Sequence, residues 1–294
     1  MVDASHSDRI DLVPGWGETT LEPPPAAYCG APPVPAELWL RWNLDPVLLL
    51  TLAACLVLYL LAGRRAGLHA GRRALFVAGW LASALALVSP LCSLSVALFS
   101  ARVGQHMFLA AIAAPLVALG RPGLAVRALR RRDSSRGRGE GRGAYEPLLA
   151  AGAFAAVLWC WHTPGPYELT FKSTVVYWFM HLTLFGTALW LWSSLLDAAD
   201  ERLGAAIAAA LLTGLQMSLL GAIITFAGRP LYAPHLLTTG AWGLSPMDDQ
   251  QLGGVLMWVP AGVVFVGALV GGTAALLHRL ERAPAVHQAS RAQT

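Results

Sequence analysis

Long apolar segments, separated by short polar or charged ones, recur along the chain from about residue 46 onward. Most of them approach the roughly 20 residues that a helix needs to cross a hydrocarbon core about 30 Å thick. The pattern therefore predicts seven membrane-spanning helices. Their approximate bounds are 46–62, 74–94, 99–119, 147–162, 173–195, 205–226 and 251–277.

The boundary between the second and third predicted helices is the least defined. Residues 91–99 stay apolar, and only Pro90 and several serines mark a turn there. A different reading of this segment would give six or eight spans instead of seven.

Arginine is concentrated in two of the segments that separate the predicted spans, residues 63–73 and 121–142. Short loops rich in Lys and Arg remain on the cytoplasmic side of a membrane. With Arg202 and the arginines of the C-terminal tail, sixteen of the 21 basic residues then lie on that side. This distribution predicts an N-terminus outside and a C-terminus in the cytoplasm.

The composition agrees with a membrane protein. Hydrophobic residues make up 56% of the 294 residues and charged residues only 13%, whereas soluble domains contain about 25% charged residues. The expected fold class is an all-α, polytopic integral membrane protein, a seven-helix bundle in contact with membrane lipids. Because topology explains the basic loop at 127–144, nucleic-acid binding is not expected.

The chain divides into three predicted regions. Residues 1–43 form an acidic outer tail with many prolines, in which Trp39 and Trp42 would anchor the chain at the membrane interface. Residues 44–278 form the membrane domain, and residues 279–294 form a basic cytoplasmic tail. No apolar stretch of signal-peptide type follows the basic residues of the first region.

Two of the four cysteines, Cys29 and Cys92, fall on the predicted outer side. An oxidising compartment permits disulfides, so these two could pair. Their spacing in the sequence does not show whether they form a disulfide.

Four histidines fall at or near the predicted outer side of the bundle: His106, His162, His181 and His235. Ionisable residues inside a membrane are costly and usually face a functional interior. The four therefore predict one outer metal site. The alternative for each is an interfacial or interhelical hydrogen bond.

Copper is the metal that this combination of residues favours. Met107 and Met257 lie at a depth similar to that of the histidines. Thioether ligands select Cu(I), and imidazole accepts copper in either oxidation state. Transient binding of copper would require an incomplete ligand set and a mobile loop at 227–249.

Further residues would support such a site. Tyr177 lies four residues before His181 and therefore on the same helix face. Asp249 and Asp248 could orient a histidine ring as hydrogen-bond acceptors, or they could be solvated loop charges. For Asp248 we favour the second interpretation.

No enzyme is expected, because the chain contains no GxSxG, Walker, HExxH or strand-associated GxGxxG motif. Two other functions remain open. One is a membrane electron-transfer protein that binds haem through His106 and His181. The other is a metal or small-solute transporter, which would need a polar route to the cytoplasmic side.

Four short sequence motifs stand in a specific order and spacing. Together they resemble the seven-span CtaG-type family of cytochrome c oxidase assembly factors, over roughly residues 40–280. The motifs are FSARVGQHM at 99–107, APLVALGRP at 114–122, WHTP at 161–164 with Tyr167, and DQQLGGVLMW at 249–258.

The resemblance implies a bacterial inner-membrane chaperone that matures a haem-copper oxidase by handling copper for the catalytic subunit, its partner. Many relatives have a histidine where this chain has Arg102. A site in this chain must therefore use a single histidine from the third predicted span. The motif positions that the resemblance assigns are His106, Trp161, His162, Tyr167, His181, Asp249 and Trp258.

Overall fold

The computed structural model describes residues 27–129, 143–197 and 202–259, with scattered helical residues between 262 and 274. Within these residues the regular secondary structure is helical. The helices are α1 (Pro46–Arg65), α2 (Ala70–Val88), α3 (Leu91–Ala97), α4 (Phe99–Leu119), α5 (Pro122–Leu129), α6 (Glu146–His162), α7 (Pro164–Lys172), α8 (Thr174–Leu196), α9 (Leu203–Thr225) and α10 (residues 246–259).

Five helices, α1, α2, α4, α8 and α9, are long and apolar enough to cross a membrane. Helices α6 and α7 meet at a bend of 72° and would form a sixth span if counted together. The predicted all-α membrane fold is thus confirmed, with five or six candidate spans. The predicted seventh span would begin within α10, but only part of residues 260–277 is described, so seven spans and the positions of the termini stay predictions.

Several predicted regions fall outside the described residues. These are residues 1–26 of the outer tail, residues 130–142 of the basic loop and the C-terminal tail from residue 279. Trp39 lies within a short 3₁₀ helix at Pro35–Leu40 and Trp42 lies just after it, and both are exposed. That exposure suits the interfacial role predicted for them.

The outward faces of the long helices are apolar. Large side chains such as Val175, Leu182 and Leu215 are among the most exposed residues of the bundle. Exposed apolar surface on this scale is unfavourable in water, whereas it is normal against lipid tails. The side chains thus separate a lipid-facing surface from a buried interior.

The interior lies among α4, α6, α8 and α9. Helix α6 packs along both α8 and α9, while α4 packs against α8 and α2. Phe154, Met180 and Leu191 are buried in the cluster that these helices share. The residues that the sequence marks as candidate ligands project into this same interior.

A short helix separates the second and third predicted spans. Helix α2 ends at Val88, α3 occupies Leu91–Ala97, and the extended backbone of Leu98 then allows α4 to begin at Phe99. The apolar segment at 91–99 is therefore a buried connection between α2 and α4. Because this connection is apolar, hydropathy alone did not locate the turn.

Helix α4 widens into a π-helical turn at Leu109–Ala113, directly after its histidine. Pro115 follows this turn. Proline has no backbone N–H and its ring crowds the preceding turn, so it favours such an irregularity. Wide turns of this kind occur often at functional sites.

Helices α9 and α10 approach closely at two glycines. A methyl group added to Gly254 would lie 2.7 Å from the carbonyl oxygen of Gly221 and 2.2 Å from the Thr225 hydroxyl. Small residues permit such contact between membrane helices. The contact sets the position of Met217 relative to Met257.

Cys29 and Cys92 form a disulfide, with their Cα atoms 5.5 Å apart. It ties the segment before α1 to the beginning of α3. The neighbouring Tyr28 stacks on Tyr177 of α8 and donates a hydrogen bond to Asp45. Burial and this carboxylate raise the pKa of Tyr28 to about 12. These contacts hold the segment before α1 against the first turn of α8.

Replacing Cys29 with serine should reduce stability, because the disulfide closes a loop between residues 63 positions apart. Disulfides closing loops of this size contribute about 2–4 kcal/mol. Thermal unfolding of the purified protein without reductant measures the loss. Cys55, an exposed free cysteine, provides the control through Cys55→Ser. Equal melting temperatures for Cys29→Ser and wild type would contradict the expectation.

Candidate functional site

Three of the predicted histidines come together, each from a different helix. His106 lies on α4, His162 at the end of α6 and His181 on α8, and all three are buried. The ring centroids of His106 and His181 are 5.3 Å apart, and those of His106 and His162 are 6.2 Å apart. This is the arrangement of one histidine per helix that the sequence predicts.

Local features of the chain place these rings. Thr163 adopts extended backbone before Pro164, so α6 ends at His162 as predicted. Ser173 caps α8 by accepting a hydrogen bond from the Val176 amide, and His181 follows two turns later. The ring of Tyr177 lies 4.3 Å from that of His181 and limits its rotation.

The hydrogen bonds of the histidines define their tautomers. Nδ1 of His162 lies 2.7 Å from the Leu158 carbonyl oxygen, and Nδ1 of His181 lies 3.1 Å from the Tyr177 carbonyl oxygen. A carbonyl oxygen only accepts, so both Nδ1 atoms carry a proton and both Nε2 atoms keep a free lone pair. Metal-binding histidines commonly donate to a carbonyl in this way.

Buried nitrogen atoms at this site lack hydrogen-bond partners. Neither ring nitrogen of His106 has one, and the same is true of Nε2 of His181. An unpaired polar atom in an apolar interior costs about 1–3 kcal/mol. Such a cost is maintained most often where the atom serves a ligand.

The three histidines line one small cavity together with three methionines. Its volume is about 20 Å³, and one water molecule needs about 10–15 Å³. The space therefore suits a single ion or water. The methionines are Met107 of α4, Met217 of α9 and Met257 of α10.

The imidazoles surround this cavity without closing on a common point. Within the described part of the chain, no three His, Cys, Asp or Glu side chains stand close enough to hold a metal ion among them. The donors nevertheless fit a soft monovalent ion, since unpaired imidazole nitrogens and thioethers are its preferred ligands. Small ring rotations would be needed to bind it.

His235 does not line this cavity. It is buried among the aromatic rings of Phe99, Tyr167 and Phe171, and its Nε2 lies 2.6 Å from the Tyr167 hydroxyl. Burial, with a smaller effect from the charge of Arg102, lowers the pKa of His235 to about 3. The fourth histidine is thus a neutral packing residue of the outer loop in this structure.

The outer loop at 227–249 packs onto the helix ends. Tyr232, His235 and Thr239 are all buried, and the Tyr232 hydroxyl donates a hydrogen bond to the His162 carbonyl oxygen. This packing does not favour the mobility that we expected of the loop.

Arg102 is buried on α4, with only 2% of its surface exposed. Its guanidinium carbon lies 4.3 Å from the ring centroid of Phe171, 5.1 Å from that of Tyr167 and 5.7 Å from that of Tyr177. The aromatic cage stabilises the cation through its ring faces. Arg102 therefore occupies a position in the protein interior.

Asp249 is fully buried and caps α4. Its carboxylate accepts hydrogen bonds from the backbone amides of Phe99, at 2.7 Å, and Ser100, at 3.1 Å, and from the Ser100 hydroxyl. It hydrogen-bonds the helix end rather than a histidine. Asp248 is bound to Ser245 at the surface, in keeping with the loop role favoured for it.

The remaining motif residues are divided between interior and surface. Trp161 donates a hydrogen bond from Nε1 to the Thr183 hydroxyl, which joins α6 to α8. Trp258 is 40% exposed and does not line the cavity. Both tryptophans therefore act outside the cavity itself.

Met217 was missed as a candidate ligand. It lies eight residues before the end of α9, and His181 lies seven residues after the start of α8. Both are thus about 11–12 Å from a helix end at 1.5 Å per residue. Comparison of helical depths would have identified Met217 from the sequence.

A family model described as cytochrome c oxidase caa3 assembly factor matches residues 55–278 of the chain. The matched region contains every cavity-lining histidine and methionine. No curated protein and no solved structure matches the chain significantly.

Replacing Asp249 with asparagine should destabilise the protein by about 1–3 kcal/mol, because one amide oxygen cannot accept all the bonds that cap α4. Asp248→Asn, a change of the same chemistry at an exposed neighbour, should cost less than about 0.5 kcal/mol. Free energies of unfolding in detergent would compare the two. Equal values would mean that the cap contributes nothing.

His235 should make stability depend on pH. Its folded pKa of about 3 lies below the ordinary value of 6.5, so its contribution is complete above about pH 6.5 and decreases as the pH falls towards 3. His235→Gln should therefore weaken the loss of melting temperature between pH 7.5 and pH 5. An unchanged pH profile in that variant would show that His235 is not buried as a neutral ring.

Proposed function

The chain belongs to the family of cytochrome c oxidase caa3 assembly factors, and from that membership we propose that it handles copper for the oxidase. Copper is the cargo of the protein and not a resident cofactor. The ion binds in the cavity between α4, α6, α8, α9 and α10. Its ligands are drawn from His106, His162, His181, Met107, Met217 and Met257.

One observation carries this proposal. Imidazole nitrogens of His106 and His181 are buried beside an ion-sized cavity without hydrogen-bond partners. Their position at the cavity distinguishes these nitrogens from the other unpaired buried atoms of the described residues, such as Nδ1 of His235. A bound cation would satisfy the free lone pairs.

The donor set favours Cu(I) over harder ions. Three thioethers accompany the imidazoles around the cavity, and thioethers bind soft ions such as Cu(I) in preference to Zn²⁺ or Mg²⁺. The rest of the lining, which includes Phe154 and Leu184, is apolar. Soft thioether ligands favour copper in its reduced state.

Incomplete coordination would make the copper exchangeable. The imidazoles do not converge on one point, so a bound ion would be held by only some of the available donors. A saturated four-ligand site would release copper slowly. A loosely held ion can pass to a haem-copper oxidase subunit in the same bacterial inner membrane, and this transfer needs no catalytic residue in the chaperone.

The two alternative functions have less support. A cavity with room for about one water molecule does not accommodate a haem, whose pocket would need several hundred Å³. A second small cavity, beside Met107 and Met217, is lined by apolar groups that include Ala110, Leu191 and Trp192. Apolar walls do not supply the polar route that a transporter of hydrated ions needs.

Deletion of the gene should yield an oxidase that lacks copper but retains its haems. The reason is that copper insertion, and not haem insertion, depends on the proposed site. Metal and haem analysis of the purified terminal oxidase would test this, with complementation by the wild-type gene as the control. Normal copper content after deletion would contradict the proposal.

Replacing His106 or His181 with alanine should weaken Cu(I) binding at least about 100-fold, since loss even of groups that orient ligands costs 10–100-fold. Competition with a Cu(I) chelator under anaerobic conditions would measure the affinity. His235→Gln serves as a matched control, because His235 is a buried histidine outside the cavity. A similar loss in all three variants would refute the assignment of the ligands.

A further inference from the structure

Arg102 is a buried cation close to the histidine cavity, and the proposed function does not use it. We infer that Arg102 sets the charge selectivity of this site, so that it accepts a monovalent ion and disfavours divalent ones. This inference rests on the proposed function, because it concerns the same cavity. Arg102 acts through its fixed positive charge and does not itself bind the ion.

The charge of Arg102 is permanent and is not neutralised by an ion pair in the described part of the chain. Arginine keeps its proton under all ordinary conditions. Its Nε has no hydrogen-bond partner, and no described carboxylate lies within ion-pair distance of it. The oxygens of Asp249 are instead occupied by the backbone amides of Phe99 and Ser100.

The aromatic cage around Arg102 makes this buried charge tolerable. Phe171, Tyr167 and Tyr177 surround the guanidinium within 6 Å. Ring faces attract a cation through their quadrupole, whereas they carry no net charge that would cancel its field. The positive potential therefore extends beyond the cage.

The cavity lies within reach of that potential. Arg102 precedes His106 by four residues on α4, a separation of about 6 Å along the helix axis and on the same face. The ring of Tyr177 bridges the two groups, since it lies 5.7 Å from the guanidinium carbon and 4.3 Å from the ring of His181.

Asp249 is a buried carboxylate near the same end of α4. Asp249 binds α4 at Phe99 and Ser100, six to seven residues before His106 and thus about 9–10 Å away along the axis. Its negative charge offsets the field of Arg102 only in part. The net effect on an ion in the cavity remains repulsive.

The size of this effect is large enough to discriminate between ions. A unit charge about 8 Å from an ion, at an effective dielectric constant of about 20, weakens binding roughly 30-fold for each positive charge on that ion. The charge of Arg102 by itself thus disfavours a divalent ion roughly 30-fold more than a monovalent one, and the field of Asp249 reduces this factor in the wild-type protein. The same repulsion lowers the affinity for Cu(I), which assists its release.

Two variants that remove the positive charge test the inference, Arg102→Gln and Arg102→Met. In Arg102→Met, an apolar side chain fills the aromatic cage. Ag⁺ serves as a redox-inert monovalent ion and Zn²⁺ as the divalent one. Affinities for both are measured by chelator competition on the full-length protein at one pH. The affinity for Zn²⁺ should rise at least tenfold more than that for Ag⁺ in both variants.

Lys172→Gln is the matched control, because it also removes one positive charge. Lys172 is half exposed and pairs with Glu168, so solvent screens its field and the ratio of affinities should not change. An equal rise for both ions in Arg102→Gln and Arg102→Met, or no rise, would overturn the inference.

The outcomes separate this inference from the proposed function. If wild-type protein binds Ag⁺ and His106→Ala loses that binding, the proposed site stands whatever the Arg102 variants do. If wild type binds no Ag⁺, or His106→Ala binds it normally, the proposed metal site is refuted, and the inference about its charge selectivity is refuted as well. Melting temperatures of all variants verify that they are folded.

Discussion

The absence of water from a membrane interior is the constraint on which this structure depends. Each backbone polar group must find a partner within the protein, which explains why the described residues are built almost wholly from helices. The same constraint makes an unpaired side-chain nitrogen costly. Among the unpaired buried side-chain atoms of the described residues, those of His106 and His181 belong to residues that line the cavity. The candidate site is therefore marked by unpaired nitrogens that meet at a cavity.

Helix α4 links the parts of the site. Asp249 caps its beginning, the caged Arg102 and then His106 follow along one face, and the π-helical turn widens the helix next to the cavity. Helices α6 and α8 each add one histidine, held in a defined tautomer by a backbone carbonyl. The disulfide between Cys29 and Cys92 lies at the far side of Tyr177, whose ring packs on His181. Outer segment, aromatic cage and cavity thus form one continuous packed unit.

The sequence predicted some properties of the cysteines and methionines and could not predict others. The sequence placed Cys29 and Cys92 on one side of the membrane but could not decide whether they pair, because pairing depends on the distance between two Cα atoms 63 positions apart in the chain. Met107 and Met257 were expected beside the histidines and do line the cavity, whereas Met217 was not expected. His235 was predicted on the same side of the membrane as the other histidines, yet it packs among aromatic rings and does not line the cavity.

Hydropathy by itself determined the class of protein and the approximate limits of most helices, because these follow from the length and polarity of single segments. The order and spacing of the motifs indicated the family. Only the tertiary structure decided which side chains meet, since the rotation of each helix about its axis is set by packing against its neighbours. That rotation brings His106, His162 and His181 to one cavity, directs Asp249 to the end of α4 and encloses Arg102 among aromatic rings.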